Sequence, residues 1–121
     1  MPAQGDLLAF VREHIRSVWA LELLLLLRRD RERCWPEADL VRELRASQMV
    51  VAANLEKLQD SALVVLDEKG CWRYAPASAA QDGLCEHIQT AYRERPVTVI
   101  NMIAKPSPLQ SLADAFKFRG E

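Results

Sequence analysis

Any bond-making chemistry in this chain would have to come from a short inventory of side chains. The histidines are His14 and His87, and the cysteines are Cys34, Cys71 and Cys85. Neither histidine stands in a motif with a nucleophile. Cys85 and His87 could contribute two metal ligands, but residues i and i+2 of a helix point apart, and nothing completes a tetrahedral set. Three cysteines cannot all pair within one chain and show no C-x-x-C spacing, so reduced thiols in a cytoplasm of bacterial type are expected. Cys71 and Cys34 invite a redox reading, but buried, inert thiols are the commoner case and the one expected here. The chain has four glycines, two of them near its ends (Gly5 and Gly120), and no glycine-rich phosphate loop. Trp19, Trp35 and Trp72 are expected to anchor packing rather than to line a ligand cage. The expectation is a protein that is not an enzyme and carries no cofactor or metal.

A second kind of chemistry lies between Pro36 and Ala75. A reader of the DNA major groove needs Arg, Lys, Asn or Gln aimed at base edges, and basic groups for the phosphates. Gln48, Asn54 and Lys57 would lie near bases, with Arg45, Lys69 and Arg73 on phosphates and Arg42 extending the basic strip. The balance of charge argues the other way. This stretch holds five basic and seven acidic residues, a net charge of −2. Phosphate neutralisation supplies most non-specific affinity, so that is a poor start, although a local basic strip would suffice. Met49, Val50 and Ala53 form a small apolar patch that could instead dock a protein partner. DNA is the preferred reading and the protein-docking module the alternative.

These residues must be positioned by local elements. Pro36 opens a short helix, because its missing N–H costs nothing in a first turn. That helix buries Leu40, Val41 and Leu44. Ser47 offers a hydroxyl to cap a second helix. Val51, Leu55, Leu58 and Ala62 form its inward stripe at a 3.6-residue period. The opposite side carries Met49, Ala53, Glu56 and Asp60, flanked by Val50 and Lys57. Leu63–Leu66 and Cys71–Tyr74 are short runs of strand formers, and Asp67-Glu68-Lys69-Gly70 between them has hairpin-turn chemistry.

Helix, tight turn, helix and two-stranded hairpin follow one another in an order that resembles the winged helix-turn-helix transcription regulators, most closely the MarR-like group. Ser47, Val51, Leu55, Leu58, the exit Ser61-Ala62-Leu63-Val64, and Gly70 with Trp72 carry the resemblance, which covers roughly residues 17–76. Ala62 stands where that family often has Gly. The resemblance implies a mainly α fold with a small antiparallel β-hairpin, in which a winged-helix core has flanking N- and C-terminal helices. It implies a transcription regulator binding duplex DNA as a homodimer through helix 47–62 and wing 63–75. Cys34-Trp35 would be the short strand that pairs with the wing in many such domains. Some members hold an effector at the dimer interface, but no residue here identifies one.

The remainder frames this core. At 121 residues the chain is read as one domain. No stretch approaches the ~20 apolar residues that span a bilayer, and the acidic, non-basic start speaks against a secretory signal. Asp6 can cap a helix from Leu7 to about Ile15 that buries Leu8, Val11 and Ile15, with a slight break at Ser17. Val18–Arg29 is apolar on nearly every side except Glu22, so it is expected to be buried all round. The charge run Arg28–Arg33 is expected as a solvated loop with local ion pairs, the alternative being a patch of phosphate contacts. Ala79–Arg93 reads as a helix with Leu84, Ile88 and Tyr92 on one face. Val97–Ile103 is ambiguous between strand and helix, and helix is chosen because its flanks are helical. A last helix is expected over Leu109–Phe118. Phe10, Val11, Ile15, Val99, Ile100, Met102, Ile103, Phe116 and Phe118 exceed what one small core obviously absorbs. The flanking helices, 6–16 and 78–118, are therefore expected to build a homodimer.

Overall fold

One leucine-rich helix sets the arrangement of everything packed on it. The structure, a computed structural model, describes residues 4–104. In chain order the elements are α1 (Gln4–His14), α2 (Val18–Arg29), β1 (Trp35–Pro36), α3 (Glu37–Leu44) and α4 (Gln48–Asp60). They continue with β2 (Val64–Leu66), β3 (Cys71–Tyr74), α5 (Ala79–Glu94) and α6 (Pro96–Ala104). The fold is mainly helical, with a small antiparallel sheet in the order β1-β3-β2.

Ser17 makes the break between α1 and α2, its hydroxyl accepting the Ala20 N–H at 3.0 Å. Leu21, Leu23, Leu24 and Leu27 of α2 are fully buried, and Leu25 and Leu26 nearly so. Glu22, the one acid in the run, accepts the Tyr92 hydroxyl of α5 at 2.7 Å, which satisfies it at the edge of the core. Trp19 departs from its expected role as an anchor, since it is exposed.

Against α2 lie Val51, Leu55 and Leu58 of α4, all fully buried, as is Leu40 of α3. Pro36, at φ −61° and ψ 145°, precedes the first turn of α3 rather than opening it, and closes β1. Ser47 caps α4 as expected, accepting the Val50 N–H at 3.2 Å. Ala62 corrects the expected inward stripe. The helix ends at Asp60, and Ala62 is exposed in the left-handed region at φ 60°, where it turns the chain into β2. An L-residue there costs roughly 1–2 kcal/mol that glycine would not.

The expected hairpin forms, with Val64, Val65 and Leu66 opposite Tyr74, Arg73 and Trp72. Its turn is closed by Asp67 N–H to the Cys71 carbonyl at 2.8 Å and Gly70 N–H to the Asp67 carbonyl at 2.9 Å, with Gly70 at φ 82°. β1 joins β3 with Trp35 opposite Trp72 and Pro36 opposite Cys71, one residue later than expected. That ladder brings Cys34 and Cys71 together as a disulfide, with 5.2 Å between their Cα atoms, while Cys85 stays free and buried. Reduced thiols throughout were the wrong expectation. Neighbouring strands place these two side by side, and their separation of 37 in sequence gives no sign of it.

Residues 97–103 are helical, within α6. Phe10, Val11 and Ile15 of the α1 region and Val99 of α6 are buried within one chain, and Met102 and Ile103 pack partly buried against the same core. Their apolar surface therefore has a partner without a second copy. α1 already runs from Gln4, so Asp6 lies inside it and does not cap it. The expected helix 109–118, with Phe116 and Phe118, lies outside the described residues. Among the described residues no helix is long and apolar enough to cross a membrane.

Candidate nucleic-acid interface

The candidate surface is built from the turn between α3 and α4, the outer side of α4, and the β2–β3 ribbon. Arg45 closes α3 in the left-handed region at φ 55°, its N–H bonded to the Arg42 carbonyl at 3.3 Å. It is exposed and takes part in no ion pair among the described residues. Just beyond it α4 begins, with Gln48 exposed and Met49 83 % exposed. The first eight residues of α4, Gln48–Leu55, carry no charged side chain, so the positive end of the helix dipole is not offset by an acid there. Val50 is half-buried, and Ala53, Glu56, Lys57 and Asp60 are exposed. Glu56 and Asp60 lie eight and twelve residues after Gln48, or roughly 12 and 18 Å along the axis.

Asp67 organises the ribbon. One carboxylate oxygen accepts the Lys69 N–H at 3.1 Å and the other the Arg73 guanidinium at 3.2 Å. Arg73 is thereby held beside the turn, and the Lys69 side chain is exposed at its tip. Arg42 is exposed but paired with Asp39, which also accepts Arg33 at 3.3 Å. Arg33 in turn lies over the Trp35 ring at 3.5 Å. Of the basic residues expected at DNA, Arg45, Lys57 and Lys69 are in no ion pair among the described residues, whereas Arg42 is paired with Asp39 and Arg73 with Asp67.

Asn54 is a correction. It is only 8 % exposed, accepting the Ser17 hydroxyl at 2.9 Å and donating to the Val50 carbonyl at 2.8 Å. Its amide fastens α4 to the start of α2 and cannot reach a base. The sequence held the signal. Asn54 stands three residues after Val51 and four before Leu58, which puts it on the inward side.

A polar cluster that sequence reasoning missed joins α2, β3 and α5. Asp82 accepts the Tyr74 hydroxyl at 2.7 Å and Arg31 at 2.9 Å, with Arg28 at 3.8 Å. Arg28 also donates to Gln89. The hydrogen bond from Tyr74, aided by Arg31 and Arg28, holds the Asp82 carboxyl below its ordinary range. Burial and the same bond push the Tyr74 hydroxyl far above its own. Burial raises the nearby Cys85 thiol to about 11, so it stays protonated and unreactive. Residues 29–33 are exposed, as expected of a solvated loop, but the pairs made from this run are not local: Arg28 and Arg31 reach Asp82, and Arg33 reaches Asp39.

The chemistry of other candidates is limited. His14 is paired through Nδ1 with Ser61 Oγ at 2.8 Å. A groove of about 940 Å³ between α1 and α5 is lined by Phe10, His14, Gln81, Leu84 and His87 among others. Among the described residues the side chains grouped closely enough to ligate a metal are Cys34, Asp67 and Cys71; Cys85 and His87 form no such group. No protein-family profile, curated protein or solved structure matches this chain.

Proposed function

We propose that this chain is a winged-helix regulator of transcription of the MarR-like kind that binds duplex DNA, with α4 as the groove-reading helix and the β2–β3 ribbon as the wing. The observation that carries the reading is the N-terminal end of α4. Exposed Gln48 and Arg45, which is in no ion pair among the described residues, stand beside uncharged first turns, and helix-turn-helix readers use the first turns of that helix at base edges. Gln48 and Lys57 are the base-proximal residues, and Arg45, Lys69 and Arg73 the phosphate contacts, with Arg42 at the margin. Glu56 stands next to Lys57, and Asp60 lies further along the helix; a carboxylate there can accept from cytosine. Homodimerisation enters by resemblance alone.

Fluorescence anisotropy with random and enriched duplexes across a salt series tests this. Three phosphate contacts per chain give a slope of log K against log salt of about −3 per chain. Reversing charge at Arg45 or Arg73 should make it shallower and weaken binding to all sequences. Flat salt dependence, or binding indifferent to both reversals, overturns the proposal.

One observation favours a second reading, in which the module docks a protein without binding DNA. Met49, 83 % exposed, stands with Val50 and Ala53 on the same side, and an exposed apolar patch of this kind suits a partner surface. On that reading Met49→Glu abolishes association with the partner, and salt has little effect.

A further inference from the structure

We propose that Cys34 and Cys71 form a reversible thiol–disulfide site, opened by a reducing dithiol, whose state sets how firmly the β2–β3 ribbon is held to the rest of the molecule. The two sulfurs are unequally accessible. Cys34, just ahead of β1, is half-buried, whereas Cys71, in the central strand, is 8 % exposed. A thiolate of the dithiol therefore attacks Cys34 Sγ, forming a mixed disulfide and expelling Cys71 as a thiolate that takes up a proton. The second thiol of the reductant then displaces Cys34, which is protonated in turn. Two electrons and two protons pass to the protein, and the dithiol leaves as its own disulfide. The reverse reaction runs from a disulfide of the same class.

The state of this bond has structural consequences because the backbone ladder that ties β1 to the sheet is short, leaving the burial of Trp35 as the other tie. β1 is two residues long, and one of them, Pro36, has no N–H to give to the ladder. The disulfide closes a loop that contains α3, α4 and β2. Asp67 connects it to the tip of the ribbon. An Asp67 carboxylate oxygen and both sulfurs lie within 4.8 Å of one another, and that carboxylate holds the Lys69 N–H and the Arg73 guanidinium. The backbone bond from Asp67 N–H to the Cys71 carbonyl runs through the same strand. Opening the disulfide frees the edge on which Cys71 and Asp67 rest, and the ribbon loosens. Cys85, buried in the α5 cluster, takes no part. A consequence for DNA affinity rests on the proposed function, because a loosened ribbon must be ordered again when it binds; the site itself does not.

The experiment uses the whole chain with dithiothreitol as the reductant and its cyclic disulfide as the oxidant. Alkylation and mass spectrometry count the thiols, and amide hydrogen exchange and duplex binding are measured in both states. Two thiols, Cys34 and Cys71, should appear and disappear together. Exchange at Trp35 and in residues 64–74 should speed up by roughly tenfold or more on reduction while α5 is unchanged. A Cys34→Ser, Cys71→Ser double variant should exchange as the reduced form does and ignore the reductant. Cys34 and Cys71 thiols that stay alkylatable under the oxidant, or ribbon exchange equal in the two states, overturn the inference. If exchange responds but neither form binds duplex DNA, the proposed function fails and the site stands. If duplex binds and exchange does not respond, the reverse holds.

Discussion

Two residues in the left-handed region, Ala62 and Arg45, sit where the chain must turn sharply between elements. Ala62→Gly should stabilise the fold by up to about 1 kcal/mol, read from denaturant midpoints at unchanged slope. Its Cβ strain is relieved there without loss of any side-chain bond. Asn54→Ala should cost about 1–2 kcal/mol, since it leaves the half-buried Ser17 hydroxyl without its partner. Asp82→Asn should cost more, about 2–3 kcal/mol, because Arg28, whose side chain is 11 % exposed, then keeps a charge with weakened compensation. Asp82 also has a pH signature. Its folded pKa lies below the ordinary value, so its contribution is complete above about pH 4 and is lost as pH falls through the lowered value. The Asn variant should therefore lose less stability than the parent as pH falls below about 4. At this scale legibility varied with the reach of the interaction. The caps at Ser17 and Ser47 are local, and their hydroxyls stand next to the amides they accept. The Tyr74–Asp82–Arg28 cluster and the Cys34–Cys71 bond join residues that only the folded chain makes neighbours.

Among the elements, periodicity was the dependable signal. Val51, Leu55 and Leu58 identify both α4 and its buried side, and the strand formers around Asp67–Gly70 identify the ribbon. Where the signal was a sum of apolar residues rather than a spacing, it misled. Phe10, Val11, Ile15 and Val99 appeared to be a surplus for a second copy, yet α1, α5 and α6 cover one another and α2 with them. Counting apolar residues does not reveal which faces meet. The partners of the exposed charge run after α2 were misjudged for a related reason, since Arg28 and Arg31 find their carboxylate 54 and 51 residues further on, at Asp82. On both proposed readings the element that meets the partner is α4. Met49→Glu separates the two roles: on the DNA reading it weakens binding through repulsion from nearby phosphates but leaves ribbon contacts, so reversing Lys69 or Arg73 weakens the remainder further. On the docking reading, those two reversals change nothing.

For the molecule as a whole, the disulfide and the leucine core set the scale of stability. Loop closure over the span from Cys34 to Cys71 is worth up to about 4 kcal/mol by chain entropy, with about 2–4 the ordinary range. The doubly serine-substituted chain should therefore unfold at lower denaturant, and reductant should lower the parent to the same midpoint. With α1 and α6 packed within the chain, assembly is a separate matter, to be measured by sedimentation with and without duplex. On the proposed function, the surface that meets DNA is the α3–α4 turn, the outer side of α4 and the β2–β3 ribbon. The most direct test is a two-dimensional amide NMR titration of the labelled protein with a short duplex. The account predicts the largest shifts at Arg45–Met49, Lys57 and Lys69–Arg73, fading as salt is raised. Shifts confined to α5 and α6, or no salt-sensitive shifts at all, would contradict it.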